Sequence, residues 1–247
     1  MRASAIEFRL RMVIHAIIIV LGFWAPWIGY SDVGRRISLL EWFALELSRM
    51  GVLSFFAAAP VVIVAGALIA AVGAVLRVWG AAYLGPGVVQ RGEMQAGAVM
   101  ADGPYRFVRN PLYLGFWFMA LALAFIMPPT GALVAMILVT IFDLRLILGE
   151  EAFLKRELGE PYLAYRRAVP RLLPRFRGAP APAGHKPQWL RGFLSELTPI
   201  GVFVALAFFS WSYNNRLMGR VVLIGFGFSL VALAFMSGAP PAVPEKL

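Results

Sequence analysis

The chain contains no cysteine, which excludes disulfides, thiolate metal sites and thiol nucleophiles. It has two histidines. His15 falls in an apolar stretch and His185 in a Pro/Ala-rich one, so a histidine-centred metal site or triad is not expected. Charge is scarce: 15% of the 247 residues are charged, against about 25% in a soluble domain. Acidic residues are the rarer sign, 13 against 23 Lys and Arg, for a net charge of +10. On a soluble protein that excess would suggest nucleic acid. Here the basic residues flank apolar segments, which points to headgroups and topology instead, with no nucleic-acid partner. No internal repeat is visible.

What is abundant is apolar sequence: 60% of the chain is hydrophobic and the mean hydropathy is +0.76. Several separate runs approach the ~20 residues needed to cross a bilayer. The expected fold is all-α, a polytopic transmembrane bundle of about six spans. These cover 12–30, 52–84, 112–127, 131–148, 197–213 and 219–237. The first follows Arg2, Arg9 and Arg11 but runs long and lacks a small-residue cleavage signature, so it reads as retained. The second is too long for a hydrocarbon core of ~30 Å and must tilt, kink at Pro60 or project. Segment 38–48, apolar but broken by Glu41 and Glu46, reads as interfacial. Pro128-Pro129-Thr130-Gly131 makes a tight hairpin.

Loop 149–192 carries nine Lys and Arg, so it is expected on the cytoplasmic side. Counting spans places 85–111 and both termini with it; Arg35, Arg36 and Arg49 then fall outside, against the trend. Within 149–170, Phe153, Leu154, Leu158, Tyr162, Tyr165 and Val169 recur at helical spacing, and Gly159-Glu160-Pro161 suits a helix end followed by a new first turn. Two short cytosolic helices are expected there. Residues 178–187 read as a linker before a C-terminal helical hairpin, 188–247, within a single integral membrane domain, 1–247.

Two polar blocks stand out. The first is Gly103-Pro104-Tyr105-Arg106-Phe107-Val108-Arg109-Asn110-Pro111-Leu112-Tyr113-Leu114-Gly115. The second begins at Glu150-Glu151 and continues through Leu158-Gly159-Glu160-Pro161-Tyr162 to Val169-Pro170-Arg171. One helical hairpin joins them, so they can face each other. Arg106 and Arg109 can neutralise an anion, Glu150 and Glu151 can accept from an ammonium or from ribose hydroxyls, and Tyr105 and Tyr113 offer a flat face and a hydroxyl. Such a set suits a zwitterionic, aromatic, cationic small molecule, and S-adenosylmethionine has those parts. Plainer readings exist for each group. The arginines can be positive-inside anchors. The glutamates can serve a helix N-terminus or pair with Lys155. Arg77 and Asp143, inside spans, can form a buried pair that only joins helices.

The two blocks resemble those of the isoprenylcysteine carboxyl methyltransferase and phospholipid methyltransferase group of integral membrane enzymes. That group shows Gly-x-Tyr-x-x-x-Arg-His-Pro-x-Tyr-x-Gly, a helical hairpin, Glu-Glu, and Phe-Gly-x-x-Tyr-x-x-Tyr-x-x-x-Val-Pro. Gly103, Tyr105, Arg109, Pro111, Tyr113, Gly115, Glu150, Glu151, Gly159, Tyr162, Tyr165, Val169 and Pro170 stand at matching positions, and the family-like core covers 75–174. The resemblance implies S-adenosylmethionine-dependent methyl transfer to a lipophilic acceptor from the bilayer, with the cofactor pocket built from loop 85–111 and the 149–170 helices. It implies cofactor contacts at Gln90, Gly97, Ala98, Val99, Met100, Tyr105, Asn110, Pro111, Leu112, Tyr113, Glu150 and Glu151. It implies catalytic roles for Arg109, Asn110, Glu150 and Arg145, and no metal. The family histidine before the proline is Asn110 here, which cannot titrate. The family's substrate-orienting arginine falls on Leu146, with Arg145 beside it. The expected location is a multi-pass membrane protein with its cofactor site facing the cytoplasm, from the Lys and Arg placement, and in a bacterial-type inner membrane, from the short loops and the missing organellar signal. Two other classes stay open at this point: an NADPH-dependent sterol or enone reductase, and a non-enzymatic membrane protein such as a scaffold or transporter.

Overall fold

The computed structural model describes residues 2–24, 37–84 and 99–212, and 220–225, 227–228 and 231 beyond them. Among these the protein is all-helical. Helix α1 is Ala5–Arg9, α2 Arg11–Trp24, α3 Leu39–Arg49 and α4 Phe55–Leu84. A 3-10 turn follows at Gly103–Arg106. Then come α5 Pro111–Ala124, α6 Pro129–Leu158, α7 Glu160–Ala168, α8 Trp189–Ser195 and α9 Leu197–Ser212.

Helices α4 and α6 each run 30 residues, about 45 Å at ~1.5 Å per residue. Both are long and apolar enough to cross a membrane, and the bent pair α8–α9, angled by 69°, is a third candidate. Helices α2 and α5 are shorter apolar helices. The described residues thus hold two or three candidate spans. The expected end of the first span, 25–30, and most of the sixth lie outside the described residues.

The ends of the helices follow local chemistry. Ser4 and Ser38 each form a capping box, with Glu7 and Glu41 three residues on. Pro111 and Pro129 open their helices where a missing N–H costs nothing. Pro60 sits inside α4, a turn and a half in, and leaves the Phe56 carbonyl without its usual donor. Gly159, at φ 60°, ends α6 and begins α7.

One expectation is corrected here. Segment 149–158 is not a separate short helix. It is the last third of α6, which continues unbroken from the span to Leu158. Helix-forming residues and one apolar stripe persist past Gly149, so nothing interrupts the hydrogen-bond ladder before Gly159.

Helix α4 is the centre of the bundle, in contact with α3, α5, α8 and α9, while α2 and α5 both pack on α6. With no hydrophobic gain between helices in lipid, close approach of small residues does the work. A Cβ at Gly73 would come within 2.8 Å of the Gly115 carbonyl oxygen. A Cβ at Gly131 would strike the Gly22 backbone. The largest buried cluster joins Phe8 and Ile18 to Ala120, Met127, Val139, Phe142 and Leu146. At Phe8, Tyr113 and Phe116 this cluster borders the polar cleft described next.

Candidate active site

The end of α4, the 3-10 turn, the start of α5 and the last third of α6 meet at one end of the bundle. Two networks hold them there. In the first, Glu151 lies between two arginines. Arg109 donates to its Oε1 from Nε and Nη2 at 3.1 and 2.9 Å. Arg171 donates to Oε1 and Oε2 at 3.1 and 2.8 Å. Arg109 Nη1 also donates to the carbonyls of Arg166 and Val169 at 2.8 and 2.7 Å. Four of its five N–H groups thus go to the protein. Asn110 Nδ2 donates to Glu151 and to the Arg171 carbonyl. The bond to Glu151 holds the Arg171 guanidinium above its ordinary range. This clasp ties the first polar block to the second. Burial and the nearby Glu151 charge push the Tyr162 hydroxyl up to about 12, so it remains a proton donor at neutral pH.

In the second network, segment 178–187, expected as a linker, is a docked strap. Asp102 is buried and accepts from the backbone N–H groups of Ala183, Gly184 and His185, and meets His185 Nδ1 at 2.6 Å. Burial pushes the Asp102 carboxyl up, but the His185, Gly184 and Ala183 donors outweigh it and hold it below the usual range. Arg106 Nε donates to the Pro180 carbonyl at 2.8 Å, and Gln188 N–H to that of Ala82 at 2.7 Å.

Between these networks and α2 lies a cleft that opens to solvent at its mouth. Its polar side carries Tyr105, Asn110, Tyr113, Glu150 and Arg77, and its apolar side Phe8, Met12, Leu84 and Phe116. Tyr113 Oη donates to Glu150 Oε2 at 3.0 Å. Arg77 is held by a bidentate pair with Glu196 at 2.6 and 3.0 Å. Among the described residues the buried Tyr105 hydroxyl has no hydrogen-bond partner, and a ligand in the cleft could supply one.

Of the expected site residues, the cleft brings together Tyr105, Asn110, Pro111, Leu112, Tyr113 and Glu150. Gln90, Gly97 and Ala98 lie outside the described residues. Val99 and Met100 are half-buried just before the turn. Arg109 and Glu151 are committed to the clasp. Arg145 is not brought to the cleft: it bonds Glu7 at 2.6 and 2.9 Å. At ~3.6 residues per turn, Asp143 and Glu150 share a face of α6 while Arg145 points nearly opposite. The expected Arg77–Asp143 pair is also replaced, because Arg77 takes Glu196 and Asp143 takes His15. Phe8, Arg11, Met12, His15 and Phe116 line the cleft without having been expected. His15, a lone ionisable group in an apolar run, carried the one signal in the sequence that could have found them.

A family model described as phospholipid methyltransferase matches residues 61–160. No curated protein and no solved structure matches the chain. The matched segment begins just after Pro60, holds the 3-10 turn, α5 and Glu150-Glu151, and so contains most of the cleft's polar side. Residues 61–160 are therefore similar to the phospholipid methyltransferase family, a likeness that supports a membrane methyltransferase.

Proposed function

We propose that the protein transfers the methyl group of S-adenosylmethionine to a lipophilic acceptor that enters the cleft from the bilayer. The observation that carries this reading is the buried Tyr105 hydroxyl, without a partner among the described residues, in one cleft with Glu150, Asn110 and Tyr113 inside the matched segment. Tyr105 and Tyr113 supply ring faces and hydroxyls for an adenosine, and Glu150 accepts from ribose hydroxyls or an ammonium. The cofactor supplies an electrophilic sulfonium methyl. What these residues contribute is alignment, and holding both reactants in line can supply much of the barrier reduction. Arg109, Glu151 and Arg171 hold the site together rather than touch its contents, and Arg145 anchors α1. The apolar wall of Phe8, Met12 and Phe116 faces the acceptor's hydrocarbon. On this reading the polar end of the bundle faces the cytoplasm, where nucleotide-derived cofactors are found, and the membrane is a bacterial inner membrane.

The test is calorimetry on detergent-solubilised protein with S-adenosylmethionine, and with NADPH in parallel. Saturable binding of the first alone, weakened at least tenfold in Glu150→Ala, is expected. Binding of NADPH alone, or unchanged affinity and turnover in Glu150→Ala, would overturn the assignment.

A further inference from the structure

One pair in the cleft is used neither by the two networks nor by cofactor contacts. His15 on α2 and Asp143 on α6 are both buried, and His15 Nε2 meets Asp143 Oδ1 at 2.8 Å. The imidazole also lines the cleft, its centroid 4.1 Å from that of the Phe116 ring and the two planes tilted by 43°. Asp143 Oδ2 is buried without a partner among the described residues. With Asp143 ionised, Nε2 must be the protonated nitrogen, which leaves Nδ1 as an acceptor. Nδ1 makes no hydrogen bond among the described residues. Asp143 from α6 meets the ring directly, and the charged groups that line the cleft with it are Glu150 from α6, Arg77 from α4 and Arg11 from its own helix, with the hydroxyls of Tyr113 and Tyr105. Glu150 already accepts from Tyr113, and Arg77 is paired with Glu196. A proton placed on His15 therefore sits beside a half-satisfied carboxylate, and an imidazolium there compensates a buried charge.

We propose that His15, oriented by Asp143, accepts the proton of the methyl acceptor, and that the acceptor is a lipophilic molecule with a neutral N–H, S–H or O–H nucleophile rather than a carboxylate. This rests on the methyltransferase reading above. The acceptor's X–H bond breaks and its proton passes to Nδ1. The electron pair left on X forms the X–C bond as the C–S bond breaks, and that bond's pair stays on sulfur as a neutral thioether. The positive charge that began on the sulfonium ends on the imidazolium, facing Asp143, and the proton leaves through the polar mouth. A carboxylate acceptor is already ionised and would give such a base nothing to do. Asn110, which cannot titrate, leaves the first polar block without a base of its own.

The test uses wild type, H15Q, H15A and D143N in detergent with methyl-labelled S-adenosylmethionine and four single-chain probes: dodecylamine, dodecanethiol, 4-nonylphenol and dodecanoic acid. S-adenosylmethionine affinity is read by calorimetry on the same preparations, so failure of the cofactor assignment shows as no binding and is distinct from failure here. Label is expected in at least one of the first three probes and not in the acid. H15Q should lose about 10²–10⁴ in turnover at unchanged affinity and lose the acidic limb of the pH–rate profile. Added imidazole should partly restore H15A, and D143N should fall between H15Q and wild type. Imidazole ¹⁵N NMR should show an Nε2–H, Nδ1-bare ring that is absent from H15Q. Label in the acid or in no probe overturns the inference. So do undiminished transfer in H15Q, an Nδ1–H ring, or turnover and S-adenosylmethionine affinity falling together, which would make the pair a helix tie.

Discussion

At the scale of single residues, the site divides into groups that face the cleft and groups that hold it. Glu151 belongs to the second kind. Its side chain and that of Arg109 are 6% and 8% exposed, so removing the carboxylate strands a buried cation. Glu151→Gln is expected to destabilise the protein by about 3–5 kcal/mol, the cost of breaking a buried pair from one side, with a lower thermal midpoint in detergent as the readout. Glu150→Gln, which keeps an acceptor for Tyr113, should leave that midpoint nearly unchanged while weakening S-adenosylmethionine. Asp102 gives a pH dependence. Its folded value lies below the ordinary carboxylate range, so its contribution is fully present above the unfolded pKa of about 3.9. It is lost as pH falls through the lower folded value. Amide exchange protection at Ala183, Gly184 and His185 should therefore hold from neutrality to about pH 4 and collapse below it. Asp102→Asn should reduce that protection by about tenfold or more at neutral pH, since bonds to a charged acceptor contribute about 1.5–3 kcal/mol.

At the scale of elements, helix contacts set the site's geometry. The α4–α5 approach depends on Gly73 and Gly115, whose backbones nearly touch, and a Cβ at Gly115 would come within 2.7 Å of Arg77 Cγ and 2.9 Å of the Gly73 carbonyl oxygen. Gly115→Leu is expected to push the helices apart, release Arg77 from the Leu112 carbonyl, and abolish cofactor binding even though residue 115 does not line the cleft. The bend between α8 and α9 has a similar role. Glu196 sits at that bend, fully buried, and its only hydrogen-bonded side chain among the described residues is Arg77. Glu196→Gln should lower both stability and methyl transfer, which would tie a helix pair outside the matched segment to the site; full activity in that variant would show the pair to be an independent appendage.

At the scale of the whole molecule, α4 and α6 divide the protein into two ends. Ala3, the 3-10 turn, the strap and Glu150 lie at one end, since Ala3 N–H bonds the Arg145 carbonyl and the strap bonds Asp102. Gly51, before α4, and the Pro128-Pro129 hairpin lie at the other. The absence of cysteine makes this directly testable. Single cysteines at Ser4 and Lys186 should react with an impermeant maleimide from the same side of sealed vesicles, and one at Gly51 from the opposite side. Arginine placement predicts that the first side is cytoplasmic. Labelling of all three from one side would mean that α4 does not span.

Much of this was legible one residue at a time. Hydropathy and periodicity determined that the protein is helical and membrane-embedded, because in lipid the backbone must bond within its own helix. The turn chemistry of Gly159 and Pro161 marked a helix end and a new start, and the two polar blocks put Tyr105, Tyr113 and Glu150 where they could face each other, while the family resemblance added Asn110. What lay beyond reach was partner choice. Arg77 could have met Asp143, Glu150 or Glu196, and Arg109 could have faced a ligand or Glu151. Burying an ion requires a partner somewhere, but which partner depends on helix rotation and approach. A single residue's turn of 100° separates Leu146 from Arg145, and backbone contact at Gly73 and Gly22 sets how near the helices come. Only the packed bundle decided that His15, 128 residues from Asp143 in the chain, meets it at the edge of the cleft.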